Sequence, residues 1–194
     1  MLKIRSFLAI DLPAEIIEGI REIQDHLKQS GPHVKWVRPE NIHLTLKFFG
    51  DIDEKVIDEI STVLDGVVSK TNAFDLEVRD VGVFPNTSRP RVVWVGTESR
   101  DRTINILQKE IDATLETIGF EPEGRAFRPH LTMGRVKSLK DKRLLIAQME
   151  KFKGFDMGSF RVEHLFLFKS DLRPTGAVYT KLRSFDFAKS RNDI

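Results

Sequence analysis

Apolar residues recur along the chain with two periods, two and about three and a half, and the switches between them divide it into interleaved strands and helices. Residues 3–10 offer apolar positions on both faces and predict a strand; Asp11 is placed as an N-cap and Pro13 in the first turn of a helix. Ile16, Ile20, Ile23 and Leu27 follow at helical spacing, and Gly31-Pro32 stops that helix. His26 lies among its polar residues as a solvated side chain, and Val34 to Val37 form a short extended piece carrying Trp36. From Ile42 to Phe49 the alternation puts Ile42, Leu44, Leu46 and Phe48 on one face and His43, Thr45, Lys47 and Phe49 on the other. The first set is a core face, and the second suits a cleft.

Asp53 caps a second helix striped by Val56, Ile57, Ile60, Val63, Leu64 and Val67. A strand over 73–84, bent at Asp80 and Gly82, leads through a turn-rich loop with an exposed Arg89 into a strand over 91–96. Ile104, Leu107, Ile111, Leu115 and Ile118 mark a third helix, ended by Gly119. The segment 121–129 holds two prolines, a glycine, Arg125 and Arg128, and delivers a strand over 130–136. Ser138 with Asp141 has the form of a capping box for a fourth helix through Phe152; strands over 159–169 and 177–187 close the chain, with a frayed polar tail from Ala188.

Many connections between consecutive strands are too short for parallel crossovers, so antiparallel sheets carrying helices, an α+β domain, is the expected class. Two stretches repeat: His43-Leu44-Thr45-Leu46 and His130-Leu131-Thr132-Met133. The order helix, motif strand, helix, strands occurs twice, which predicts two pseudo-equivalent halves of one domain over residues 1–194. On a strand, each histidine shares a face with its threonine, so two imidazoles and two hydroxyls can meet in one cleft.

Composition narrows the class. The 194 residues are 40% hydrophobic and 31% charged with net charge +2, an ordinary globular balance that permits local basic patches without predicting a wrapping nucleic-acid binder. With no cysteine, disulfide, thiolate and cysteine–zinc chemistry are excluded. The apolar run Phe7 to Ile10 is too short for a secretory signal, and no stretch approaches a membrane span, so a cytoplasmic protein is expected.

Two histidines suit in-line displacement at phosphorus. A neutral imidazole takes a proton from the attacking oxygen, an imidazolium protonates the leaving one, and the threonine hydroxyls donate to non-bridging oxygens. The competing reading is that each is a half-buried strand histidine bonded to backbone, which serves one motif better than both. A metal site would need His33 or His164 recruited as a third ligand, and a serine hydrolase lacks its G-x-S-x-G elbow.

The two motifs, Phe84-Pro85-Asn86 with Arg89-Pro90-Arg91 before Val92-Val93-Trp94-Val95-Gly96, and Arg128-Pro129-His130 together resemble the two-histidine (2H) phosphoesterases. The nearest branch is the RNA 2′,3′-cyclic phosphodiesterases, first described as 2′-5′ RNA ligases, and the likeness runs from Arg5-Phe-Leu-Ala-Ile to Leu167-Phe168-Lys169-Ser170 and Tyr179. The resemblance implies a bilobal fold with a V-shaped cleft, one motif per lobe and helices on the outer faces. It implies hydrolysis of an RNA 2′,3′-cyclic phosphate to a 2′-phosphate without metal or cofactor. His43 is then proton donor, His130 proton acceptor, and Thr45 and Thr132 hold phosphate oxygens. Reversible 2′-5′ ligation follows if a 5′-hydroxyl replaces water. The implied partners are RNA ends, with tRNA fragments among the candidates, and no membrane or protein partner.

Arg128, Arg125, Lys47, Arg89 and Lys169 are candidates to neutralise RNA phosphates. Phe49, and with it Trp36, is a candidate to stack a base, against the alternative that both belong to the core. Small cyclic nucleotides, 2′-5′ linked oligonucleotides, and a non-catalytic RNA-end binding module remain as alternatives.

Overall fold

The computed structural model describes residues 3–29, 31, 33–174 and 176–189. Pro32, expected to help stop the first helix, and 190–194, most of the expected tail, lie outside them.

Nine strands and four helices make up the described fold: β1 Lys3–Ile10, α1 Ala14–Lys28, β2 Val34–Trp36, β3 Leu44–Asp53, α2 Ile57–Val68, β4 Phe74–Phe84, β5 Val92–Glu98, α3 Thr103–Glu116, β6 His130–Val136, α4 Lys142–Met149, β7 Asp156–Val162, β8 His164–Arg173 and β9 Gly176–Asp186. They build two antiparallel sheets, as an α+β reading requires. One has the order β3-β1-β8-β9 and the other β2-β6-β5-β4-β7. The motif strands β3 and β6 thus stand in different sheets, each beside the strand that opens its own half, β1 or β5.

The halves exchange elements. β4 follows the first motif yet pairs with β5, and β8 follows the second yet pairs with β1. Helices cross too. α1 lies on the second sheet, where Gln24 donates to the carbonyls of Val37 and Met133 and Gly19 packs on Met157. α2 packs on α3 and β9, and α3 also reaches β3. One apolar core, from Ile4 and Leu8 through Ile60 and Leu107 to Leu131 and Leu165, runs through both units.

Several local expectations are met with their physical cause visible. Asp53 accepts from the Lys55 amide at 3.1 Å at the start of the α2 region. Asp80, at φ 58°, marks a register shift in β4, the expected bend. The expected stripe of α1 is buried at Ile16, Ile20, Ile23 and Leu27.

Others are corrected. The single strand expected over 159–169 is two, in different sheets, separated at Glu163. Phe160 and Val162 are buried on one parity and Leu165 and Leu167 on the other, so the break coincides with a reversal of phase. The capping box does not form: Asp141 is left-handed at φ 60° without a side-chain cap bond, and Ser138 accepts from the Lys140 amide instead. His26 is not simply solvated but is bonded to Gln148 of α4 at 2.9 Å. Ala188 does not begin a frayed tail; its amide donates to Thr71 and its carbonyl accepts from Ala73, both at 2.9 Å.

On the second sheet, Trp94 lies flat across Gly82, where an added β-carbon would meet the indole at 2.2 Å. Gly82→Ala is expected to cost about 1–3 kcal/mol through overpacking, with the melting temperature falling roughly 2–4 °C per kcal/mol. Gly66, exposed in α2 with nothing within 4 Å of where a β-carbon would stand, gives the opposite sign. Gly66→Ala should stabilise by roughly 0.5–1 kcal/mol in the same melts.

Candidate active site

The four motif side chains are positioned by one backbone device used twice. In β3 the register with β1 runs Ala9↔Thr45 and then Leu8↔Lys47, so Leu46 is an extra residue. In β6 the register with β5 runs Trp94↔Thr132 and then Val93↔Gly134, so Met133 is the extra one. Each motif therefore ends in a β-bulge at its fourth position, which reverses the alternation beyond it. Up to the bulge the expectation holds: Leu44 and Leu131 are buried, while His43, Thr45, His130 and Thr132 are half-buried on the opposite face. Beyond it the phase is inverted.

The inversion exchanges the expected faces of Lys47 and Phe48. Lys47 turns inward and is only 4% exposed, donating to Asp112 of α3 at 2.8 Å and to the Glu121 carbonyl at 2.6 Å. Its ammonium is engaged by these two acceptors. Phe48 takes the cleft position, 42% exposed, with the Arg5 guanidinium 4.5 Å from its ring. A second shift, Phe7↔Phe48 after Ser6↔Gly50, makes Phe49 a bulge residue packed edge-on to Phe120 at 5.1 Å. Phe49 belongs to the core margin, and so does Trp36, which covers Gly134. At the equivalent place in β6 the bulge presents the exposed Arg135, whose charge favours the ionised form of the Tyr179 hydroxyl.

The imidazoles share one hydrogen bond. His43 Nδ1 donates to the Asn41 carbonyl at 2.9 Å, and His130 Nδ1 to the Arg128 carbonyl at 2.7 Å, in each case two residues upstream. A carbonyl only accepts, so Nδ1 carries the proton and Nε2 is left for chemistry. Their covers differ. His43 stacks on Phe7 at 4.5 Å and 20°, with Tyr179 edge-on at 5.2 Å. Among the described residues His130 meets one aromatic ring, that of Phe84, edge-on at 4.9 Å and 88°. Phe7, Ala9 and Phe168, flanked by Phe166 and Tyr179, form a small apolar cluster separate from the main core, and His43 lies on it. Burial there lowers the His43 pKa below 6.5, against the Asn41 hydrogen bond and the Asp11 charge, which raise it. Burial likewise raises the Tyr179 pKa, opposed by Arg135 and Arg5.

Thr45 of the first motif and His130 of the second line one cavity of about 790 Å³. Phe48, Phe84 and Phe127 belong to its apolar wall, and Lys47, Arg125 and Arg128 are its cations, beside the carboxylate of Glu123. The Thr45 and Thr132 hydroxyls make no hydrogen bond to any other described residue. Two further candidates fall outside: Lys169 is paired with Asp171 at 3.2 Å, and Arg89 sits on the β4–β5 hairpin away from the cavity wall. His33 faces Asp141 at 3.7 Å and His164 faces Asp186 at 2.8 Å, both as structural pairs. Among the described residues no three His, Asp or Glu side chains converge as metal ligands. Nor is any helix of the described residues long and apolar enough to cross a membrane.

The Lys47 ion pair joins the two halves of the site. Asp112 also accepts from Gln108 at 2.7 Å and from the Glu123 amide at 3.3 Å, so β3, α3 and the segment leading to Arg125, Arg128 and His130 share one buried polar node. Removing one partner leaves the other charge buried and unpaired. Lys47→Met or Asp112→Asn is expected to destabilise by about 3–5 kcal/mol in denaturant unfolding. The lowered pKa of His43 has a definite sign as well. The folded chain binds fewer protons than the unfolded one below pH 6.5, so this group's stabilisation is lost as pH falls through that window. In NMR titration the His43 ring should show a midpoint below 6.5, and Phe7→Ala should move it upward.

Comparison with known proteins agrees with this duplicated geometry. The LigT like Phosphoesterase family model matches twice, over residues 10–94 and 95–179, one match per motif. The chain is 39% identical over 184 residues to the RNA 2′,3′-cyclic phosphodiesterase of Methanothermobacter thermautotrophicus, covering 95% of this chain and 99% of that one. Among solved structures it resembles TT0787 of Thermus thermophilus, with TM-score 0.80 and 27% identity over 96% of this chain and all of that one. It also resembles E. coli LigT complexed with 3′-AMP, with TM-score 0.77 and 26% identity over 96% of this chain and 99% of that one. With a motif histidine in each matched half, the chain belongs to the LigT-like phosphoesterases of the two-histidine superfamily.

Proposed function

We propose that the protein hydrolyses the 2′,3′-cyclic phosphate at RNA ends to a 2′-phosphate, with His43 and His130 as its acid–base pair. The observation that carries this is the matched Nδ1–carbonyl bond, made in both motifs, which leaves both Nε2 atoms free for acid–base chemistry. Membership of the family and the activity of its relatives support the substrate class.

In this reading His130 Nε2 removes a proton from water as its oxygen attacks phosphorus. His43 Nε2 delivers a proton to the departing 3′-oxygen, and Thr45 and Thr132 donate to the non-bridging oxygens. Arg128, Arg125 and Arg135 surround the anion, and the Phe48 and Phe84 rings offer faces to a base. A 5′-hydroxyl in place of water would run the same geometry toward a 2′-5′ linkage. The cytoplasm, with tRNA fragments among its RNA ends, is the setting we assign.

The acid role has to overcome burial, which disfavours the His43 imidazolium in the empty cleft. The substrate supplies the compensation. An anion about 4 Å away is worth roughly 4 kcal/mol at an effective dielectric of 20, and it favours the protonated ring. His43 therefore acquires its proton as the phosphate enters.

His43→Ala and His130→Ala should each lower kcat by about 10²–10⁴-fold on a 2′,3′-cyclic nucleotide, with wild-type turnover retained in EDTA and bell-shaped in pH. A substrate with sulfur at the 3′-bridging position separates the roles, because a thiolate leaves without a proton. It should recover much of the loss in His43→Ala and little in His130→Ala. Equal recovery in both would reverse or void the assignment.

A further inference from the structure

We propose a second subsite, the hollow behind the β4–β5 hairpin, that binds backbone phosphates of the RNA strand running 5′ from its cyclic end. The inference rests on the RNA-end reading above and extends it to the length of the substrate. The hollow measures about 330 Å³ and is lined by Arg89, Arg91 and Lys137 with Ser138, Pro90 and Leu139, without a carboxylate. None of the three cations is in an ion pair with another described residue. Some surface cations are matched, Arg21 with Glu18, Lys181 with Asp11 and Arg183 with Asp58, and the three of the hollow are not.

The backbone beneath these cations is fixed. The Arg91 amide donates to the Phe84 carbonyl at 2.7 Å, the Val136 amide to Arg91 at 2.9 Å, and the Lys137 amide to His33 at 2.7 Å. Lys142 Nζ donates to the Ser88 carbonyl at 2.7 Å and pins the hairpin tip. The next carboxylate along the chain, Asp141, is turned to His33. Three like charges are thus held around a concavity by hydrogen-bonded backbone, an arrangement suited to a polyanion.

Its position links it to the active site. Phe84 and Val92 line the catalytic cavity, while Arg91 and Arg89, one and three residues before Val92, line the hollow. At about 3.3 Å per extended residue the two are roughly 10 Å apart along the hairpin, within reach of the nucleotides next to the end. Arg135, paired in register with Val92, carries positive charge between them. The opposite flank is unsuited: the groove between α3 and the 122–127 segment sets Asp101, Asp112, Glu116 and Glu123 against Arg102, Lys109 and Arg125.

The test pairs two measurements on wild type, Arg91→Ala/Lys137→Ala and the charge-keeping Arg91→Lys/Lys137→Arg. Turnover of a 2′,3′-cyclic mononucleotide by wild type reports on the cyclic-phosphate chemistry of that reading alone, independently of the hollow. Affinity for an oligoribonucleotide ending in a 2′-phosphate, titrated by anisotropy between about 50 and 200 mM salt, reports on the hollow. Each single-strand phosphate contact contributes about −0.7 to the slope of log affinity on log salt, so losing two flattens it by roughly 1.4. The alanine pair should show that flatter slope and weaker oligonucleotide binding at low salt, and the charge-keeping pair should retain the wild-type slope. A wild-type slope and affinity in the alanine pair, with mononucleotide turnover intact in wild type, would overturn the subsite while leaving the RNA-end reading standing.

Discussion

One backbone carbonyl, two residues upstream, holds each motif imidazole by its Nδ1, and the site depends on that bond being made twice. It selects the tautomer, fixes the ring plane and leaves Nε2 as the free nitrogen. The bond forms because each histidine stands at the start of a motif strand, where the incoming chain still has a carbonyl to offer. Asn41 ends a short 3-10 turn, and Arg128 lies in the segment before β6. The threonines follow on the same face, and a bulge then closes each motif.

Those bulges give the lobes different chemistry from equivalent positions. The first lobe presents Phe48 and buries Lys47; the second presents Arg135 and buries Gly134. A cleft with an aromatic wall and a cationic one suits a nucleotide end, which offers a base and a phosphate. Lys47 ties β3 to α3 and to the segment entering β6. With the exchange of β4 and β8 between sheets, it makes the separation of the motifs a property of the core rather than of loops.

What is legible in the sequence follows what is local. His43, Thr45, His130 and Thr132 can be read because alternation holds up to each bulge, and the repeat itself marks two halves. Lys47, Phe48 and Phe49 cannot, because nothing in Leu46-Lys47-Phe48 announces an extra residue; the bulge is imposed by pairing with β1. The partners of Lys47 lie 65 and 74 positions away, beyond any local pattern. The aromatic cover of His43 comes from β1, β8 and β9, so Phe7, Phe168 and Tyr179 come together only through the topology. The break at Glu163 is legible in principle, since the buried parity changes there, but so short an interruption makes the segment read as one strand.

The central claim is that both Nε2 atoms flank a single phosphorus. It is tested most directly by titrating inorganic phosphate into the protein while following the imidazole ¹⁵N resonances of His43 and His130. One phosphate per chain should shift both Nε2 resonances along a single binding curve, with the His43 ring gaining proton occupancy as the anion binds. Shifts at only one histidine, or two curves with separate affinities, would contradict a shared site.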